Sequence, residues 1–141
     1  MNYWWVLIFV ILPVQASQSQ RVFEDIGQDL ADLIMGDLQY RFESFCDSVI
    51  RISPERFDRH YATMTLDDYQ SRLRIMNRGN ISVRKDTQDR IAIHLVENFV
   101  TFEQANEFWT KFADDVGVYK TNSDYIRSTM QRFYVSSQAT Q

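Results

Sequence analysis

His94 is the side chain whose type and setting best suit acid/base chemistry, since it lies within the apolar run Ile91-Ala92-Ile93-His94-Leu95-Val96. An imidazole in an apolar concavity can act as a general base. On a strand, His94 shares a face with Ala92 and Val96, opposite Ile91, Ile93 and Leu95, and Tyr119, Tyr125 or Asp124 are the partners that later segments would bring to it. A structural or solvent-facing histidine is the favoured reading of the same residue. The aromatic group Phe99, Phe102, Phe108, Trp109 and Phe112 suits binding rather than catalysis. Phe99, Phe108 and Phe112 are the candidate wall of an apolar ligand pocket, core packing being the competing explanation. With alternating faces, Trp109 stands opposite Phe108 and Phe112 and becomes a candidate partner contact.

Other chemistry is thinly represented. The sequence has no Gly-rich phosphate loop, His-Glu-x-x-His pair, nucleophile elbow or Cys-x-x-Cys, so no cofactor is expected. His60 follows Arg59 on a predicted helix surface, and two histidines so separated make no metal site. Cys46 is the single cysteine, which rules out an internal disulfide and leaves a buried small hydrophobe or an intermolecular bridge. Asn80-Ile81-Ser82 is an acceptor sequence for N-linked sugar, placed just after the turn signal Asn77-Arg78-Gly79.

That acceptor matters because the chain opens like an exported protein. Met1 to Val14 is almost wholly apolar and Val14-Gln15-Ala16 offers small residues at minus three and minus one, so residues 1–16 read as a signal peptide. The run is about half the roughly 20 residues a membrane-crossing helix needs, so no anchor is expected after cleavage. The remaining chain is long enough to bury a core as one domain. The 141 residues carry a net charge of -4, and in the middle of the chain arginines interleave with aspartates. Such a surface is solvated and argues against a nucleic-acid partner.

The elements that would hold these groups follow from periodicity. Phe23, Ile26, Leu30, Leu33, Ile34, Leu38, Phe42, Phe45, Val49 and Ile52 step by three or four, as one helix face requires. Gly36-Asp37 reads as a stop and a new cap, dividing a helical extension over 17–36 from a principal helix to about Ile52. Ser53-Pro54-Glu55 starts a second helix, and Thr65-Leu66-Asp67-Asp68 starts a third with a capping-box pattern. Ile91, Ile93, Leu95 and Phe99 recur at even spacing and predict a strand over Arg90 to Val100, with Ile81 and Val83 a shorter example. Residues 102–116 admit two readings. Thr101 with Gln104 would cap a helix, whereas Phe108, Thr110 and Phe112 alternate and Asp114-Asp115-Val116-Gly117 would turn between two strands. The strands are preferred. A short helix through Met130 and Phe133 would precede a loose tail over 136–141.

Helices followed by antiparallel strands make an α+β pattern in which helices cover one face of a sheet. The run Phe42 to Tyr61, broken at Ser53-Pro54-Glu55-Arg56-Phe57, resembles the helical opening of the NTF2-like (SnoaL-like) cone fold. Phe108-Trp109-Thr110-Lys111-Phe112, Gly117-Val118-Tyr119-Lys120 and Ser123-Asp124-Tyr125-Ile126 are similar to its closing hairpin. The resemblance spans roughly Asp37 to Ile126, within a domain over 37–135, and small secreted members typical of nematodes are the group it suggests. It implies a curved antiparallel sheet, a ligand or protein partner bound through that sheet, and face-to-face homodimers. Some members are cofactor-free isomerases or dehydratases. The expectation is therefore a secreted, extracellular, non-enzymatic binding protein for a small apolar ligand or a protein. The alternatives are an acid/base enzyme centred on His94 and, if the later segments are helices, an exported all-α bundle that carries lipid.

Overall fold

The structure, a computed structural model, describes the backbone from Val14 to Ala139 and the side chains from Phe23 to Ser136. The apolar run read as a leader falls on Met1–Pro13, outside the described residues. Six helices occupy the described chain: α1 Val14–Ile52, α2 Pro54–His60, α3 Leu66–Met76, α4 Lys85–Asn98, α5 Phe102–Val116 and α6 Lys120–Ala139. No strand is present among the described residues; Ile81 and Val118 make only an isolated parallel bridge.

The NTF2-like α+β cone is thereby overturned, and the all-α bundle describes the molecule. The error has a physical origin. Residues four apart share a face in both a strand and a helix, so Ile91 with Leu95 and Phe108 with Phe112 fit either period. Their neighbours discriminate: Ala92 is fully buried and Ile93 is 42 % exposed, the reverse of a strand that buries Ile91 and Leu95. Trp109 is likewise fully buried beside Phe112, whereas Thr110 is exposed. Gly117 does not turn between strands. It sits at φ 80° and caps α5 in the left-handed conformation that glycine adopts without penalty.

Local capping chemistry starts three of the helices. The Ser53 hydroxyl accepts from the Arg56 N–H ahead of Pro54, and Thr65 with Asp68 and Thr101 with Gln104 form complete capping boxes. At Gly36 the expected break does not occur; α1 continues unbroken to Ile52. Asp37 is no cap. It is 3 % exposed, and its carboxylate accepts from Arg84 Nε at 2.7 Å and from the Thr87 hydroxyl at 2.8 Å.

The core gathers Ile26, Leu30 and Ile34 of α1 with Ile91 and Leu95 of α4. Trp109 and Phe112 of α5 and Ile126 and Met130 of α6 complete it. Helix α4 packs on α1, α5 and α6, which makes it the central element. Residues 80–84 cross the bundle as an extended strap that buries Ile81 and Val83; the Ile81 N–H donates to the Gly117 carbonyl at 2.7 Å and its carbonyl accepts from Tyr119 N at 2.8 Å. Helices α2 and α3 contribute no fully buried residue. They lean on the far half of α1 through Phe42, Phe45, Tyr61 and Tyr69, whose rings lie 5.1 to 5.6 Å apart.

Candidate apolar ligand site

A groove of about 460 Å³ opens where the start of α1 meets the α4–α5 connection. Phe23, Phe99 and Phe108 form its walls, with Val100 at the lip. Asn98, Gln104, Glu107 and Lys111 supply its polar rim. The volume falls in the roughly 300–1,000 Å³ range of small-molecule sites. The three rings are mutual neighbours: Phe23 stacks on Phe99 at 6.1 Å, Phe99 meets Phe108 at 5.4 Å, and Phe23 lies 6.0 Å from Phe108.

The walls are held in place from behind. Phe99 caps α4, and its carbonyl accepts from the Tyr134 hydroxyl at 2.8 Å, which fastens the connection to α6. Burial pushes the Tyr134 phenol above its usual range, so it remains a donor at neutral pH. The Thr101 capping box then fixes the next turn, with Gln104 N donating to Thr101 Oγ1 at 3.2 Å. Beneath Phe108, Phe112 stacks at 6.5 Å and Trp109 lies 5.8 Å beyond it. Trp109 Nε1 donates to both the carbonyl and the hydroxyl of Ser123, at 3.2 and 3.1 Å. This second aromatic layer limits how far the walls can move.

Of the expected pocket residues, Phe99 and Phe108 therefore line the groove, while Phe112 is fully buried behind it. Phe23 was legible only as a core position on a helix face, because nothing local in the sequence couples it to Phe99. Val100, 87 % exposed, carried no signal at all. Trp109, expected to face a partner, is inside.

His94 lies outside the groove lining and faces α1, with Nε2 3.0 Å from Asp29 Oδ2. That nitrogen is sealed from solvent, and the contact is not aligned as a hydrogen bond. It becomes an ion pair when the ring is protonated. The partners expected for His94 are engaged elsewhere: the Tyr125 hydroxyl donates to Asp89 Oδ1 at 2.8 Å, and Asp124 pairs with Arg127 at 3.0 Å. Tyr119 sits ahead of α6, where its N–H serves the strap. The structure does not bring these groups together as an acid/base set. His60 is exposed on α2. No cluster of metal-ligating side chains occurs among the described residues.

Cys46 is half-buried on α1, and burial, then the adjacent Asp47 carboxylate, push its thiol above the ordinary range, which disfavours the reactive thiolate. Asn80 is half-buried at the mouth of the strap; Ser82 Oγ of its acceptor sequence accepts from Arg41 Nη1 at 3.3 Å and Asn77 Nδ2 at 3.4 Å. No described helix is long and apolar enough to cross a membrane.

Comparison found no matching family model, no matching curated protein and no matching solved structure. The NTF2-like resemblance rested on strands that are helices, and no family match restores it.

Proposed function

We propose that this protein is an all-helical carrier of a small apolar molecule that works by binding without catalysis and acts after export from the cell. The observation that carries this reading is the groove walled by Phe23, Phe99 and Phe108 on a fixed aromatic backing. Binding through a sheet, as the cone fold implied, has no sheet to use among the described residues. Export rests on the apolar opening and the Val14-Gln15-Ala16 pattern. An acid/base enzyme is less well supported, because His94 faces Asp29 rather than the groove.

Native mass spectrometry of the protein secreted from a eukaryotic host tests the reading. The expected result is a chain shortened near Ala16 that retains or takes up one apolar molecule, with uptake weakened by Phe99→Ala. A folded protein that takes up no apolar probe at all, whether sterol, fatty acid or naphthalene sulfonate dye, overturns the carrier.

A further inference from the structure

We infer that the groove is built for an uncharged, hydroxyl-bearing ring lipid of the sterol class and against a fatty-acid anion; this rests on the carrier reading. The first ground is the hydrogen-bond inventory at the rim. Asn98 Nδ2 donates to the His94 carbonyl at 2.7 Å, which orients the side-chain amide and leaves its oxygen as an acceptor beside one remaining N–H. Gln104 Oε1 accepts from Thr101 N at 3.4 Å in the capping box, which leaves its NH2 as the rim donor. An alcohol both donates and accepts, so it can pair with the Asn98 oxygen or with the Gln104 NH2. A carboxylate can only accept, so it leaves the Asn98 oxygen without a donor.

The charges at the rim point the same way. Glu107 and Lys111 stand one turn apart on α5, four residues being the spacing at which opposite charges neighbour each other. The polar lining therefore holds one acid, one base and two neutral amides, with no excess cation to pair with an anion. The second ground is the shape of the walls. Phe23 and Phe99, half-buried over the buried Phe108 with Phe112 and Trp109 behind it, offer pre-set aromatic faces against which a rigid ring system packs without first losing chain entropy. A flexible acyl chain pays that ordering cost in full.

The test uses the exported protein, in which Trp109 is the tryptophan that remains once Trp4 and Trp5 leave with the leader. Energy transfer from Trp109 to dehydroergosterol and to cis-parinaric acid would report the two lipid classes side by side, with the sterol methyl ether as a competitor lacking the donor proton. Expected are saturable sterol binding, at least about tenfold weaker binding of the methyl ether and of parinarate, and about tenfold loss of sterol affinity in Gln104→Glu, which exchanges the rim donor for an acceptor. Parinarate binding as tightly as the sterol, or a methyl ether that competes equally, overturns the inference about the ligand while the carrier reading stands. Binding of neither lipid, nor of any other apolar probe, removes both. Because the wild-type comparison needs no variant, a Gln104→Glu protein that fails to fold does not blunt the result.

Discussion

The carboxylate of Asp37 meets the guanidinium of Arg84 at 2.7 Å between Nε and Oδ1, joining the middle of α1 to the residue that precedes α4. Asp37 is almost completely buried, and three donors converge on it: Arg84 Nε, the Thr87 hydroxyl and the Arg84 N–H at 3.3 Å. Arg84 also lies 4.2 Å over the Tyr40 ring. A carboxylate taken out of water is tolerable only when so surrounded. The pair sets where the strap ends and α4 begins.

Asp37→Ala should therefore destabilise the fold by about 2–4 kcal/mol, since it leaves the Thr87 hydroxyl unpaired inside while Arg84, partly solvated, can rehydrate. Urea unfolding should show a lower midpoint with an unchanged slope. A loss below about 0.5 kcal/mol would show that water replaces the carboxylate.

Phe112 and Phe99 should separate stability from binding. Phe112→Ala opens a cavity in the sealed second layer and should cost about 3–5 kcal/mol, measured by thermal or urea denaturation. Phe99→Ala removes a half-buried wall and should cost less than half as much, yet weaken ligand uptake. Equal effects on folding would place Phe99 in the core and take it out of the site.

Two glycines should respond with opposite signs. At Gly36, inside α1, an added Cβ meets nothing within 4 Å, so Gly36→Ala should stabilise by about 0.5–1 kcal/mol. At Gly117 the backbone holds φ at +80° and the new Cβ would lie 3.5 Å from Arg74 Nη1, so Gly117→Ala should destabilise by about 1–2 kcal/mol. Melting temperatures of the two variants, run beside the parent, decide both.

Acid stability carries a signature of Asp89. The Tyr125 hydroxyl, then Lys85 at 3.3 Å, hold its carboxyl below the usual carboxylate range. A folded pKa below the unfolded one contributes stability above the unfolded value, near about pH 4, and loses it as pH falls through the folded value. Tyr125→Phe should be less stable than the parent at neutral pH, with the gap narrowing below about pH 4. A gap that is constant from pH 7 to pH 3 would assign the loss to packing alone.

What the sequence disclosed and what it hid follow from the range of the forces involved. Ser53-Pro54 and Thr65 with Asp68 were readable because capping joins residues three apart. The strand prediction for 90–100 failed because Ile91 and Leu95 satisfy two periods, and the deciding pair, buried Ala92 and exposed Ile93, is weak in hydrophobic contrast. Asp37 looked like a cap because the aspartate follows a glycine, and its true partners lie at Arg84 and Thr87. The candidate site was half visible. Phe99 and Phe108 are one helical cap apart in sequence, but Phe23 reaches them only through the packing of α1 against α4.

Under the export proposed above, the strap would also order events during synthesis. Ile81, the middle residue of the sugar acceptor Asn80-Ile81-Ser82, is sealed between the backbones of Gly117 and Tyr119, which leave the ribosome long after it does. A glycosyltransferase meeting the nascent chain thus finds the acceptor extended and open, whereas one meeting the finished bundle finds it shut. In an exported chain, occupancy at Asn80 should consequently record the race between translocation and closure of the C-terminal helices, and weakening the closed state with Gly117→Ala should raise it.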